Sequence, residues 1–264
     1  MPEGHSIRHL ANVFEETLVG EKVKVASPQG RFYAEAGVLD GKTLERVTAH
    51  GKHLFLHFGD DMNVHIHLGL YGWLYFDDDP PSASTRLRIE GAGAAANLIA
   101  PTACQLWTDE QVEDKKLSLG PDPIHADSDP GRAWVKIKKS NKPIAALVMD
   151  QSVIAGIGNV YRAEILFMTK TSPFTPGKET IEAEFSEIWD LSRALLRDGS
   201  RDGKIRTVAK NHLYGDEVKL HGCAHFSYVY KRGGESCRVC RSSVQVAPLA
   251  GRTLYWCPSC QELV

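Results

Sequence analysis

Residues 237 to 260 read CRVCRSSVQVAPLAGRTLYWCPSC, and their cysteines fall as Cys237-x2-Cys240-x16-Cys257-x2-Cys260. Each Cys-x-x-Cys turn aims two thiolates at one point, and four thiolates at this spacing predict one tetrahedral zinc ion with no open coordination position. A site closed in this way holds structure and does no chemistry. Between the pairs, VQV and RTLYW predict two strands closed by PLAG, a hairpin too small to fold without its metal. Arg252 then lies near the hairpin tip, where a loop cation can be merely solvated or can grip a phosphate.

Working outward, the tail is basic: from Lys231 onward five cations face two acids, although the 264-residue chain carries a net charge of −2. Charge is segregated elsewhere too. KIKKSNK, residues 136 to 142, holds Lys136, Lys138, Lys139 and Lys142 without an acid, whereas FDDDP gathers Asp77, Asp78 and Asp79. Polyanion binding needs local positive potential, so Lys138 and its neighbours are candidate phosphate contacts. Just downstream, AGIGN predicts a tight turn with Asn159 as the N-cap of a helix beginning at Val160. Helix N-termini attract anions, although most capped helices bind none.

The rest of the chain sorts into blocks. Ile7, Leu10, Ala11, Phe14 and Leu18 repeat at helical spacing, which predicts a helix starting close to Pro2 and ending before Gly20. From about Lys22 to Trp107, short alternating runs such as KVKVA, HLFLHF and VHIHL predict a β-rich domain. LGPDPIHADSDPG, residues 119 to 131, has the composition of a boundary. Short helices follow over PIAALVMD and NVYRAEILF, then a longer one from about Ile181 to Arg197, and little periodicity from Gly199 to Ser227. Length favours two or three compact units. No apolar run reaches membrane-spanning length and no leader precedes the chain, so a cytoplasmic protein is expected. Cys104 and Cys223 are expected as lone buried thiols.

Three further features carry candidate chemistry. If the initiator Met is removed, the secondary amine of Pro2 becomes a potential nucleophile. Lys52, in HGKHLFLHF, opens a predicted strand. His65 and His67 alternate onto one strand face near His50, His53 and His57, where packed and hydrogen-bonded rings are expected rather than a second metal. In LGLYGW, Leu70 and Tyr71 lie between glycines, which pushes an apolar pair outward from a turn, either into a core or as a wedge for a base stack.

In order along the chain, MPEG, GKHLF, HLGLYG, MDQSVIAGIGNVYRAEILF, VYKRGGESCRVC and LAGRTLYWCPSCQ resemble the motifs of the formamidopyrimidine-DNA glycosylase and endonuclease VIII family. LYG and YWCPSCQ are similar to the endonuclease VIII branch in its actinobacterial form. The resemblance implies an α+β multidomain architecture: a β-sandwich domain flanked by helices (1–122), a linker (123–134), a helix-two-turns-helix domain (135–226) and a zinc finger (227–264). It implies a bifunctional DNA glycosylase and AP lyase, with Pro2 attacking C1′ of a damaged nucleoside and Glu3 as general acid/base. Lys52, Asn159 and Arg252 become phosphate anchors in the catalytic and DNA-binding set, and Leu70 and Tyr71 fill the gap left by the flipped base. Zinc is the implied cofactor and damaged or abasic DNA the partner of a cytoplasmic, nucleoid-associated monomer. Oxidised pyrimidines are the branch-level substrates.

Two departures stand out. Ser6 replaces a second acid of formamidopyrimidine-type members, and Gly69 replaces a polar gap-filler, so two residues rather than three are expected in the gap. Residues 201–222 match no pattern in the region that caps the base in some relatives. A non-catalytic DNA-binding homologue and an AP lyase with little glycosylase activity are the rival readings. A small tautomerase with an N-terminal Pro is disfavoured by the chain length and the zinc ribbon.

Overall fold

The computed structural model describes residues 2–209, 212 and 226–262, and the chain divides into two compact units, Met1–Ser118 and Leu119–Val264. Cys223 and most of the expected capping region therefore lie outside the described residues.

The first unit is a β-sandwich. Helix α1 (Gly4–Thr17) places Ile7, Ala11 and Phe14 on one face, and Leu18 just beyond it completes the stripe. Burying Phe14 alone contributes about 2 kcal/mol. One antiparallel sheet runs β1 (Lys24–Ala26), β6 (Thr85–Glu90), β7 (Ala95–Ile99) and β5 (Trp73–Phe76). The other runs β2 (Arg46–His50), β3 (His53–His57), β4 (Asn63–His67) and β8 (Ala103–Trp107). Alternation decides what faces inward: Leu54 and Leu56 of β3, Val64 and Ile66 of β4, and Leu87 and Ile89 of β6 share one core with α1. One helix interrupts the β-rich reading, α2 (Tyr33–Leu39), and another, α3 (Asp109–Ser118), follows its last strand. Both are short, and few of their residues are buried, so neither writes a strong apolar stripe into the sequence.

The second unit is helical and ends in a hairpin. It comprises α4 (Pro130–Lys138), α5 (Ile144–Leu147), α6 (Asn159–Met168), α7 (Glu182–Asp202) and the antiparallel strands β9 (Gln245–Leu249) and β10 (Arg252–Trp256). Leu254 of β10 packs into the same core as Ile144, Tyr161 and Trp189, so the hairpin belongs to this unit's body.

The stretch of boundary composition, 119–131, is partly packed. Leu119 to Pro123 are buried; the Gly120 N–H donates to the Gln151 carbonyl (2.9 Å), and the Ala155 N–H donates to Pro121 (3.1 Å). A Cβ on Gly120 would stand 2.3 Å from the Val153 carbonyl oxygen, so its glycine serves a close approach and not flexibility. Within 123–134, Asp129 caps α4 by accepting from the Gly131 N–H (2.8 Å), with Pro130 at the first helical position. Helix α7 also runs past Gly199, which is buried inside it, and stops at Gly203 with φ +72°.

Candidate active site

The first unit holds the predicted nucleophile and acid at the head of α1. Glu3 occupies the N-cap position and is fully buried, while Pro2 before it is half-buried. Ser6, where some relatives carry an acid, closes this helix start: its hydroxyl accepts from the Glu3 N–H (3.1 Å) and donates to the Glu3 carbonyl (2.8 Å). No acidic side chain lies in the first turn of α1 itself, so Glu3 at the N-cap is the acid placed at this end of the helix.

Lys52 sits one residue earlier than a strand opening. His50 pairs with His53, which leaves Gly51 and Lys52 as a two-residue hairpin loop, with Gly51 at φ +57° in the first central position. Helix α1 packs along both strands of this hairpin.

Leu70 and Tyr71 project from a turn closed by the Gly72 N–H donating to the Leu68 carbonyl (3.0 Å) and are 48% and 87% exposed, so they are not core residues. Gly69 adopts φ +69°, and a Cβ there would stand 1.8 Å from the Thr102 hydroxyl oxygen. A Cβ on Gly72 would stand 2.2 Å from the Leu68 oxygen. The turn therefore has room for two projecting side chains and not for a third at position 69.

The histidines form a packed layer. His53 Nδ1 and His65 Nε2 share a hydrogen bond of 2.8 Å, His65 stacks on Trp107 with ring centroids 3.8 Å apart, and His57 Nε2 bonds the Thr48 hydroxyl (2.8 Å). Burial lowers His53 to about 2, and His57 and His65 to about 4, with nearby cations adding to the effect. His67 is lowered by burial and then by Lys52 and Lys115. These rings are neutral packing groups at pH 7.

In the second unit, Asn159 does not cap α6 as expected. Gly158 is the N-cap and Asn159 the first helical residue, with its amide donating to the Thr253 carbonyl of β10 (3.0 Å). The extended backbone of Gly158 takes the boundary position, which turns the Asn159 side chain toward the hairpin. Its oxygen accepts from Arg162, a fully buried guanidinium that also donates to Leu249 (3.3 Å) and Thr253 (3.4 Å). Those two carbonyls bracket the turn Ala250–Gly251, whose φ angles are +51° and +70°. Arg252, paired with Leu249 across that turn, is exposed and donates to the Gly251 carbonyl (3.1 Å).

Sequence reasoning missed Arg162 and its neighbour Glu164. Every residue of α6 from Asn159 to Phe167 is buried, so charged side chains at 162 and 164 had to find partners inside. Glu164 accepts from the Thr207 hydroxyl and from the backbone N–H groups of Tyr228 (2.6 Å), Val229 (2.9 Å) and Tyr230 (2.9 Å). Burial raises its pKa, and these four donors oppose that rise. Two charged letters in an otherwise apolar helix were the available signal.

Lys138 is more engaged than a phosphate-seeking cation needs to be. Its ammonium donates to the carbonyls of Lys178 (2.6 Å) and Thr180 (3.2 Å) and lies 5.3 Å from the Trp134 ring centre. Lys139 and Lys142 of the same stretch are exposed.

The four cysteines converge. Cys237 Sγ lies 3.9 Å from Cys260 Sγ, Cys240 Sγ lies 3.3 Å from Cys257 Sγ, and all four sulfurs fall within 4.8 Å of one another. A tetrahedron of sulfurs at zinc–thiolate distance has edges of about 3.8 Å, so the donor set fits one metal ion. Among the described residues, no helix is long and apolar enough to cross a membrane.

Comparison with known proteins follows the same division. Residues 1–99 match the formamidopyrimidine-DNA glycosylase N-terminal domain, and residues 119–210 match the formamidopyrimidine-DNA glycosylase H2TH domain. A structure of a Lactococcus lactis Fpg variant with Fapy-dG containing DNA superposes with a TM-score of 0.81 at 25% identity, covering 99% of this chain and 100% of that one. The class so defined is that of the base-excision enzymes that act as DNA glycosylases and AP lyases. The Mycobacterium tuberculosis protein Endonuclease 8 1 is 44% identical over 99% of this chain and its own full length. Endonuclease 8 of Salmonella dublin is 30% identical over the same share of this chain and also its full length. The chain belongs to the formamidopyrimidine-DNA glycosylase and endonuclease VIII family of base-excision DNA repair.

Proposed function

We propose that this chain removes oxidised pyrimidines from DNA and cuts the strand at the resulting site, using the amine of Pro2 exposed by removal of Met1. The observation that carries the reading is the buried Glu3 carboxyl directly beside Pro2 at the head of α1. An α-amine titrates near ~8, and partial positive charge from the helix end favours its neutral, nucleophilic form. The amine forms a bond to C1′ as the glycosidic bond breaks and the base leaves with a proton. Glu3 then protonates the ring oxygen, the sugar opens, and an iminium joins Pro2 to C1′. The iminium acidifies the adjacent C2′–H, so a base takes that proton as the 3′ phosphate leaves. Elimination of the 5′ phosphate follows, and water releases the sugar fragment.

Lys52, Asn159 and Arg252 contact backbone phosphates, and Leu70 and Tyr71 fill the gap of the extruded nucleotide, whose unstacking costs a few kcal/mol. Zinc at Cys237, Cys240, Cys257 and Cys260 holds the hairpin that presents Arg252 and supplies no chemistry, having no open position. The protein acts as a cytoplasmic monomer.

Borohydride reduction in the presence of abasic-site DNA tests the reading. A covalent adduct that forms with wild-type protein and disappears in Pro2→Gly is expected; no adduct from correctly processed wild type overturns it. Glu3→Gln is expected to stop both excision and strand cutting.

A further inference from the structure

Resting on that reading, we infer that Trp73 is a stacking platform for a nucleobase that the Leu70–Tyr71 wedge has separated from its neighbours. Trp73 opens β5 immediately after the wedge turn and is 65% exposed. The next residues show why. Leu74 points into the core and Phe76 packs edge-on against Phe14 with ring centroids 5.0 Å apart, so alternation places Trp73 on the opposite face. Leaving an indole in water forgoes about 2 kcal/mol of burial that a polar residue at this position would not have offered.

The surroundings match a polyanionic, aromatic ligand. β5 is an edge strand of its sheet, and Trp73 pairs across to Ile99 of β7, so the indole stands at the margin of the sandwich. The turn before it is tightly closed: the Gly72 N–H donates to Leu68, and neither Gly69 nor Gly72 has room for a side chain. The space a side chain at 69 would need is taken by Thr102, in the segment that leads out of β7. Neither 67–76 nor 95–103 contains an acidic residue, and the acids nearest in sequence, Asp77 to Asp79, follow the far end of β5, where Asp77 accepts from the Asn97 amide (3.1 Å), so phosphates meet no like charge at the Trp73 end of the strand. A base face is the occupant that uses an exposed indole next to a wedge: every base offers a π-face, and stacking needs no sequence match.

The test compares Trp73→Ala and Trp73→Phe with wild type for binding to a single-stranded oligonucleotide carrying one tetrahydrofuran abasic analogue. Trp73→Ala is expected to weaken binding about tenfold to a hundredfold, and Trp73→Phe to retain most of the affinity. In a series where each base flanking the analogue is deleted in turn, one deletion is expected to remove the difference between wild type and Trp73→Ala, which identifies the stacked base. Equal affinity of Trp73→Ala and wild type overturns the inference, as does a Phe variant as weak as the Ala variant. A penalty constant across the whole deletion series overturns it too. Borohydride trapping on natural abasic DNA in parallel separates the two readings: intact trapping with unchanged affinity removes the stacking role alone, whereas loss of trapping in wild type removes the catalytic reading.

Discussion

Two turns present the residues expected to meet DNA, and they are positioned by opposite means. The wedge turn at 68–72 is held by what its own glycines cannot tolerate: Gly69 abuts Thr102, and Gly72 closes on Leu68. The finger turn at Ala250–Gly251 is instead held from far along the chain, by Arg162 and Asn159 of α6 grasping Leu249 and Thr253. One is fixed by local sterics and the other by a remote buried charge. The first is expected to be intolerant of bulk, whereas the second is expected to tolerate changes at the tip but not at its anchor.

Acid gives the largest contrast, because the histidines held neutral by burial lie in the sheet that feeds the wedge. His67 ends β4 directly before the turn, and His53 and His65 lie in the same layer. In the unfolded chain these histidines titrate near the ordinary 6.5, whereas folding lowers His57 and His65 to about 4 and His53 to about 2. The unfolded state therefore binds more protons below pH 6.5. The stabilisation is complete above that value and is lost as the pH falls through about 4. We expect the first unit to melt by pH 4, reported by Trp107 leaving His65. Arg162 keeps its charge throughout, so hydrogen exchange in α6 is expected to stay slow through pH 5. Simultaneous loss of protection in both units removes the distinction.

Next in size is Arg162→Met, which keeps the bulk and deletes the charge. It leaves the Asn159 oxygen and the Leu249 and Thr253 carbonyls without this donor and is expected to cost about 3 kcal/mol of stability in the second unit. DNA affinity is expected to fall about tenfold, with a salt slope shallower by about one unit because Arg252 no longer holds its phosphate. An Arg252→Ala protein with the same slope as Arg162→Met supports an anchor acting through the turn. A wild-type slope in Arg162→Met shows that the hairpin positions itself.

These contrasts follow what the sequence could disclose. Sandwich strands, α1 and the cysteine cluster were legible because alternation, 3.6-residue periodicity and ligand spacing are local patterns. The exposure of Leu70 and Tyr71 was legible for the same reason, through the two glycines around them. Asn159 was found at the right place but one step off in the helix, since Gly158 takes the cap and the Asn159 amide reaches Thr253, almost a hundred positions away. Glu164 and Arg162 went unread because a buried charge has no meaning until its acceptors or donors are known. Residues 119–131 read as a boundary from composition; the two units divide at Ser118 and Leu119, and the fold also uses Gly120 and Pro121 for close packing against Gln151–Ala155.

Gly69→Asn is the counterpart on the wedge side. It places at 69 a polar residue of the kind the family resemblance leads one to expect, yet its Cβ collides with Thr102. A loss of about 2 kcal/mol in thermal unfolding is expected, most of it recovered by Thr102→Gly in the same chain. Absence of recovery traces the cost to the positive φ of residue 69 alone and not to crowding.

The smallest change tests the tip of the finger itself. Ala250 adopts φ +51°, a left-handed conformation that costs a residue with a Cβ about 1 kcal/mol, and glycine removes that cost. Because Arg162 and Asn159 hold the strands on either side, Ala250→Gly is expected to raise the stability of the second unit slightly and to leave DNA affinity within about twofold. A loosened tip with weakened binding means that the turn, and not the anchor in α6, sets where Arg252 points. Unchanged binding in Ala250→Gly, set beside a tenfold loss in Arg162→Met, assigns the aim of the finger arginine to a guanidinium that never meets solvent.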